Sequence, residues 1–98
     1  MTPSKPTAGR AIVTIVGLDR VGIIAGIANA LADANVNILD ISQSVMRDEF
    51  FTMIMMVDLN TSKLPFEEIA ARLKKKGEAL AVQVEIQRED IFKAMHRV

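Results

Sequence analysis

The order in which strand-like and helix-like stretches follow one another constrains this chain most. Ala11-Ile12-Val13-Thr14-Ile15-Val16 is a β-branched run ended by Gly17. Such side chains suit a pleated surface better than a helix. Apolar residues at successive positions predict a strand buried on both faces, and therefore central in its sheet. Past Gly22 the repeat changes. Ile23, Ile27, Ala30, Leu31 and Ala34 fall on one face of a helix, and Asn35 is a helix stop. The alanines let this helix sit close to a sheet.

Val36 to Met46 reads as a second strand. Asn37, Leu39, Ile41, Gln43 and Val45 alternate with Val36, Ile38, Asp40, Ser42, Ser44 and Met46. Neither set is cleanly apolar, which predicts an edge strand or a bulge. Arg47-Asp48-Glu49 is a charged turn into a third strand, Phe50 to Val57. Pro65 suits the first turn of a second helix, and Glu67 and Glu68 suit its positive end. Phe66, Ile69, Ala70 and Leu73 form its buried stripe. Lys74, Lys75 and Lys76 fall at its negative end, with Gly77 expected as the cap. Leu80, Val82, Val84 and Ile86 then alternate with polar residues as a half-buried fourth strand. Asp90 opens a final helix with Ile91, Phe92, Met95 and Val98 on one side.

The expected fold is thus α+β, a ferredoxin-like βαββαβ sandwich. Right-handed crossovers place both helices on one face of a four-stranded antiparallel sheet of order 4-1-3-2. Residues 10–98 form one domain, which includes a C-terminal helix over 89–97. Residues 1–9, rich in Pro, Thr and Ser, read as a flexible tail. The length of 98 residues fits a single domain.

Helices cover one sheet face in this architecture, and the other normally meets water. Here strands one and three are apolar on both sides. A bare face of that kind would be an apolar patch of several hundred Å², so the C-terminal helix, a second subunit or both must cover it. The methionines of strand three read as core filling. Twelve basic and twelve acidic residues give zero net charge, which removes the repulsion that keeps copies apart. A homodimer or higher homo-oligomer is expected.

The same balance argues against nucleic acid, which needs a basic surface. An RNA-binding sheet also needs stacking aromatics on strand one, and there are none. The chain has no cysteine, so disulfides, thiolate chemistry and the paired cysteines of a metallochaperone are excluded. Arg20 and Asn37 only loosely echo an acylphosphatase, and Asp19 would repel its phosphate. His96 is the sole histidine and reads as a surface residue. Ser42 and Ser44 lack a positioned base. Asp19 and Asp40 have no metal-ligand spacing. No enzyme, metal or cofactor is expected. Without a signal peptide or a membrane-spanning run, the cytoplasm is the expected compartment.

The distinctive segment is Gly17-Leu18-Asp19-Arg20-Val21-Gly22-Ile23-Ile24, which joins a central strand to a helix N-terminus. Backbone N–H groups there favour an anion such as a carboxylate. Asp19 as a mere cap and Gly22 as a mere turn residue would explain the same letters. Together with Asn35-Val36-Asn37-Ile38, the segment resembles the ACT domain, a ligand-binding regulatory module of amino-acid metabolism. The likeness covers roughly residues 10 to 88. The stretches Asp40-Ile41-Ser42-Gln43, Phe50-Phe51-Thr52-Met53 and Ile91-Phe92-Lys93-Ala94-Met95 resemble a subfamily of stand-alone ACT proteins, itself similar to the ACT repeats of a glycine-cleavage repressor.

The resemblance implies a homodimer with an amino-acid-like ligand at the interface. Leu18, Asp19, Arg20, Gly22, Ile23 and Asn37 are the implied ligand-binding residues. Asp19 matches a loop position that often carries Asn, and Asn37 matches the Asn at the start of strand two. Gly17 stands where serine-sensing relatives have His, and Val21 where Pro is common. Two functions follow. One is a module that senses an amino acid or similar carboxylate. The other is a ligand-free dimerisation or protein-interaction module. The sequence shows no catalytic domain for it to regulate, so it is expected either to act on a protein target in trans or to signal by ligand-dependent association.

Overall fold

A computed structural model describes residues 9–18, 22–45 and 50–90 of the chain. Strand β1, Arg10–Leu18, is followed by helix α1, Ile23–Asp33, and strand β2, Asn37–Val45. Strand β3, Phe50–Asp58, helix α2, Phe66–Leu80, and strand β4, Gln83–Arg88, complete the order. The sheet order is β2-β3-β1-β4, which is the expected 4-1-3-2 read from the other edge. All three pairings are antiparallel. This is the expected ferredoxin-like βαββαβ fold.

Register divides the side chains into two layers. Ala11, Val13 and Ile15 lie opposite Val57, Met55 and Met53. All six are fully buried, under Ile23, Ile27 and Leu31 of α1 and Ile69 and Leu73 of α2. The alternate positions of β1 and β3 form the opposite, open face, where Ile12 pairs with Met56, Thr14 with Ile54 and Leu18 with Phe50. Strand β2 is both an edge strand and bulged, with a register shift between Ile38 and Asp40. The mixed pattern of its two residue sets has that origin. The shift changes which alternate positions face the helices.

Helix α1 ends as the sequence indicates, with Asn35 left-handed at φ 61°. Helix α2 does not. Gly77 is not its cap, because the helix continues to Leu80 and Ala81 takes the left-handed turn at φ 62°. Gly77 is instead buried against β4. A Cβ there would stand 2.6 Å from Val84 Cγ2 and 3.0 Å from the Val82 carbonyl oxygen. The glycine serves close helix–strand approach, and Leu80 belongs to the helix rather than to the fourth strand.

Gly9, just before β1, is buried, and its carbonyl accepts a hydrogen bond from the Leu59 N–H. Residues 1–8 lie outside the described residues, as does the expected C-terminal helix beyond Asp90. Glu89 and Asp90 themselves are helical. No helix among the described residues is long and apolar enough to cross a membrane.

Candidate functional site

The loop between β1 and α1 leaves the sheet at Leu18, which is exposed opposite Phe50 on the open face. Gly17, just before it, lies against Val82. A Cβ at Gly17 would fall 2.7 Å from Val82 Cγ1, so any side chain there would require Val82 to shift. Asp19, Arg20 and Val21 lie outside the described residues.

Gly22 is the N-cap of α1, with φ 92° and ψ −6°. That backbone region is costly for any residue with a Cβ. Among the described residues nothing lies within 4 Å of where a Cβ would stand, so conformation, not crowding, requires glycine here. Having no side chain, Gly22 offers no side-chain cap to the helix, and the first turn of α1 contains no acidic residue. The N–H donors at this end therefore lack two of their usual local acceptors. The Gly22 carbonyl accepts the first helical bond, from Gly26 N–H at 2.8 Å. Ile23 is buried in the core and fixes the direction of the helix, while Ile24 is exposed beside it.

Asn37 is elsewhere. It opens β2 in register with Asp58, which also pairs with Arg10 at the start of β1. The nine residues of β1 separate this end from Leu18, roughly 26 Å at ~3.3 Å per residue. Asn37 lines a shallow depression of about 370 Å³ with Ala32, Asn35, Val36 and Thr61. The Thr61 hydroxyl donates to the Asn35 carbonyl at 2.7 Å. Leu18, Gly22 and Ile23 are thus brought together, whereas Asn37 of the same chain is at the far end of the sheet. Among the described residues no slot within one chain joins the loop to Asn37.

Exposed apolar residues flank the loop and the β2 edge: Leu18, Ile24, Phe50 and Ile54, and then Leu39 and Ile41. The apolar surplus of strands one and three pointed to this surface. Leu39 lies at the bulge, and Ile41, in register with the buried Met55, is exposed because β2 is the sheet edge; alternation alone does not locate the bulge. Among the described residues no group of three or more His, Cys, Asp or Glu side chains could hold a metal ion.

The sequence matches the ACT domain family over residues 10–87. This chain belongs to the ACT domain family. ACT domains are small regulatory, ligand-binding domains, many of which sense amino acids. A UPF0237 protein of Listeria monocytogenes is 51% identical over 89 residues, covering 91% of this chain and 99% of its own. The structure of an ACT domain protein from Streptococcus pneumoniae superposes with a TM-score of 0.75 at 40% identity, over 90% of this chain and 98% of that one. A protein described as a glycine cleavage system transcriptional repressor shares the fold at a TM-score of 0.67 and 24% identity, over 82% of this chain and 45% of that one. The resemblance that the loop and strand motifs carry is therefore one of family, and the match spans nearly the whole length of the stand-alone relatives.

Proposed function

We propose that this ACT domain works as a homodimer that senses an amino acid or a similar small carboxylate, in the cytoplasm and without catalysis of its own. One observation carries the reading: β2 is an unpaired edge strand with Leu39 and Ile41 exposed along it. An edge of that kind is a ready template for a second strand. In a twofold dimer the two β2 strands run antiparallel. Pairing centred on Ile41 sets Asn37 of the partner subunit opposite Val45, at the end of the sheet where β1 enters the loop. The two halves of the candidate site, distant in one chain, then meet across the interface.

In this arrangement the N–H groups at the start of α1 donate to the ligand carboxylate. Asp19 and Asn37 of the partner subunit supply acceptors for an ammonium group. Ligand binding and assembly are coupled, because the slot exists only in the dimer. The output is read by a separate protein. A thermal-shift screen across the amino acids tests this reading. A ligand at 100 times its dissociation constant adds roughly 2.7 kcal/mol, and each kcal/mol moves the midpoint of a domain this small by roughly 4–8 °C. A flat screen with the dimer intact leaves the assembly module instead, for which the exposed Leu18, Phe50 and Ile54 also speak.

A further inference from the structure

Helix α2 carries Arg72, Lys74, Lys75 and Lys76 close together. The helix dipole does not account for them. It favours cations in the last turn, where its effect is concentrated. Because α2 continues to Leu80, the three lysines fall short of that turn, which holds no basic residue and does hold Glu78. Pairing along the helix does not account for them either. Lys75 and Lys76 stand three and four residues after Arg72, where like charges repel. Arg72 pairs with Glu68 at 3.2 Å, with both side chains exposed. Among the described residues Lys75 and Lys76 join no ion pair.

Three of these cations line one groove. Arg72, Lys75, Lys76 and Ala79 share a face of α2, being three and four residues apart. Ala30 and Asp33 of α1 join them around a depression of about 330 Å³. The two helices run close together, since a Cβ at Gly26 of α1 would stand 2.8 Å from Leu80 Cδ1. From Arg72 to Ala79 the groove follows α2 for about 10 Å at 1.5 Å per residue. The alanines give it methyl groups, the three cations line its α2 side, and Asp33 is the single acid of its lining.

We infer that this groove between α1 and α2 docks an acidic segment of a separate protein, with carboxylates on Arg72, Lys75 and Lys76 and a small apolar side chain against Ala30 and Ala79. Charge complementarity selects the partner. Exposed ion pairs hold weakly, so an arriving carboxylate can replace Glu68 on Arg72. The ammonium groups of Lys75 and Lys76 sit on flexible stems and adjust to carboxylates spaced along a chain. A free phosphate would call for convergent donors, and mid-helix N–H groups are already bonded along the helix. Nucleic acid would call for a wider basic surface, and this chain has zero net charge. The inference rests on the proposed function only in taking a separate protein as the recipient of the output. It needs neither a bound amino acid nor the β2 pairing, so a flat amino-acid screen leaves it standing.

Amide NMR titration of the full-length chain with a blocked octapeptide of alternating glutamate and alanine tests this. Shifts should concentrate at Ala30, Asp33, Arg72, Lys75, Lys76 and Ala79. The glutamine–alanine octapeptide and inorganic phosphate should not reproduce them. Lys75→Gln combined with Lys76→Gln should weaken binding by roughly tenfold. Ala79→Gln keeps every charge but fills the groove, and should weaken binding by a comparable factor. Lys74→Gln removes a neighbouring cation that lies against β4, beside Val84 and Glu85, and should leave the affinity unchanged. None of the four positions is buried, so circular dichroism should stay that of the wild type. No shift with the glutamate peptide, equal shifts with phosphate, an equal loss in Lys74→Gln, or no loss in Ala79→Gln would each overturn the proposal. The same shifts on concentrating the protein alone would also overturn it, by giving the groove to a second copy.

Discussion

A methyl group added at either of two glycines should destabilise this domain, for unrelated reasons. Helix propensity alone favours Ala over Gly by about 1 kcal/mol in a helix interior. At Gly77 that gain is overridden, because the new carbon would stand 2.6 Å from Val84 Cγ2 and 3.0 Å from backbone oxygen. Gly77→Ala should therefore lower stability, by ~1–3 kcal/mol as for other overpacked sites. At Gly22 there is free space, but φ is 92°. Gly22→Ala should cost about 1–2 kcal/mol through the backbone alone. Urea denaturation measures both, and a stabilised Gly77→Ala would return that residue to the role of a loose helix end. The contrast shows what single letters convey. A glycine followed by a change of repeat marks the start of α1 correctly. A glycine after three lysines looks like a cap, but close contact with a strand seven residues later in the chain is a tertiary fact.

Among the elements, β1, β3 and α1 were the most legible, since each is dominated by one repeat and one environment. Strand β2 was legible as an irregular edge but not in its facing. The shift between Ile38 and Asp40 sets Ile41 in register with Met55, and Ile41 is exposed along the edge with its polar neighbours Asp40 and Ser42. This element carries the proposed dimer, and a charge there should disrupt it. Ile41→Lys leaves the core intact, because the side chain is already largely exposed. A twofold axis through this position would bring two such lysines together, and like charges directly opposite on paired strands repel. Light scattering should move from dimer to monomer with unchanged circular dichroism. A dimer that survives the substitution would place the interface on another face of the sheet.

The candidate site belongs to the whole molecule, and its two halves lie apart within one chain. Helix α1 returns the chain from the end of β1 to the start of β2, so the loop before α1 and Asn37 after it must lie at opposite ends of the sheet. Sequence order places them near one another, but topology separates them. An antiparallel pair of β2 edges reverses the separation, and this makes a prediction that no single-chain site can meet. Asp19→Ala and Asn37→Ala should each weaken binding of whichever amino acid stabilises the wild type, by ~1–3 kcal/mol for a lost buried partner. Mixed after reversible dissociation, the two variants should recover sites of wild-type affinity. In a mixed dimer, the intact loop of the Asn37→Ala chain faces the intact Asn37 of the Asp19→Ala chain, while the second site carries both changes. With free exchange, half of the dimers are mixed and each regains one of its two sites, so calorimetry should find about a quarter of the wild-type stoichiometry. A site built within one subunit would recover nothing, because every chain in the mixture carries one defect.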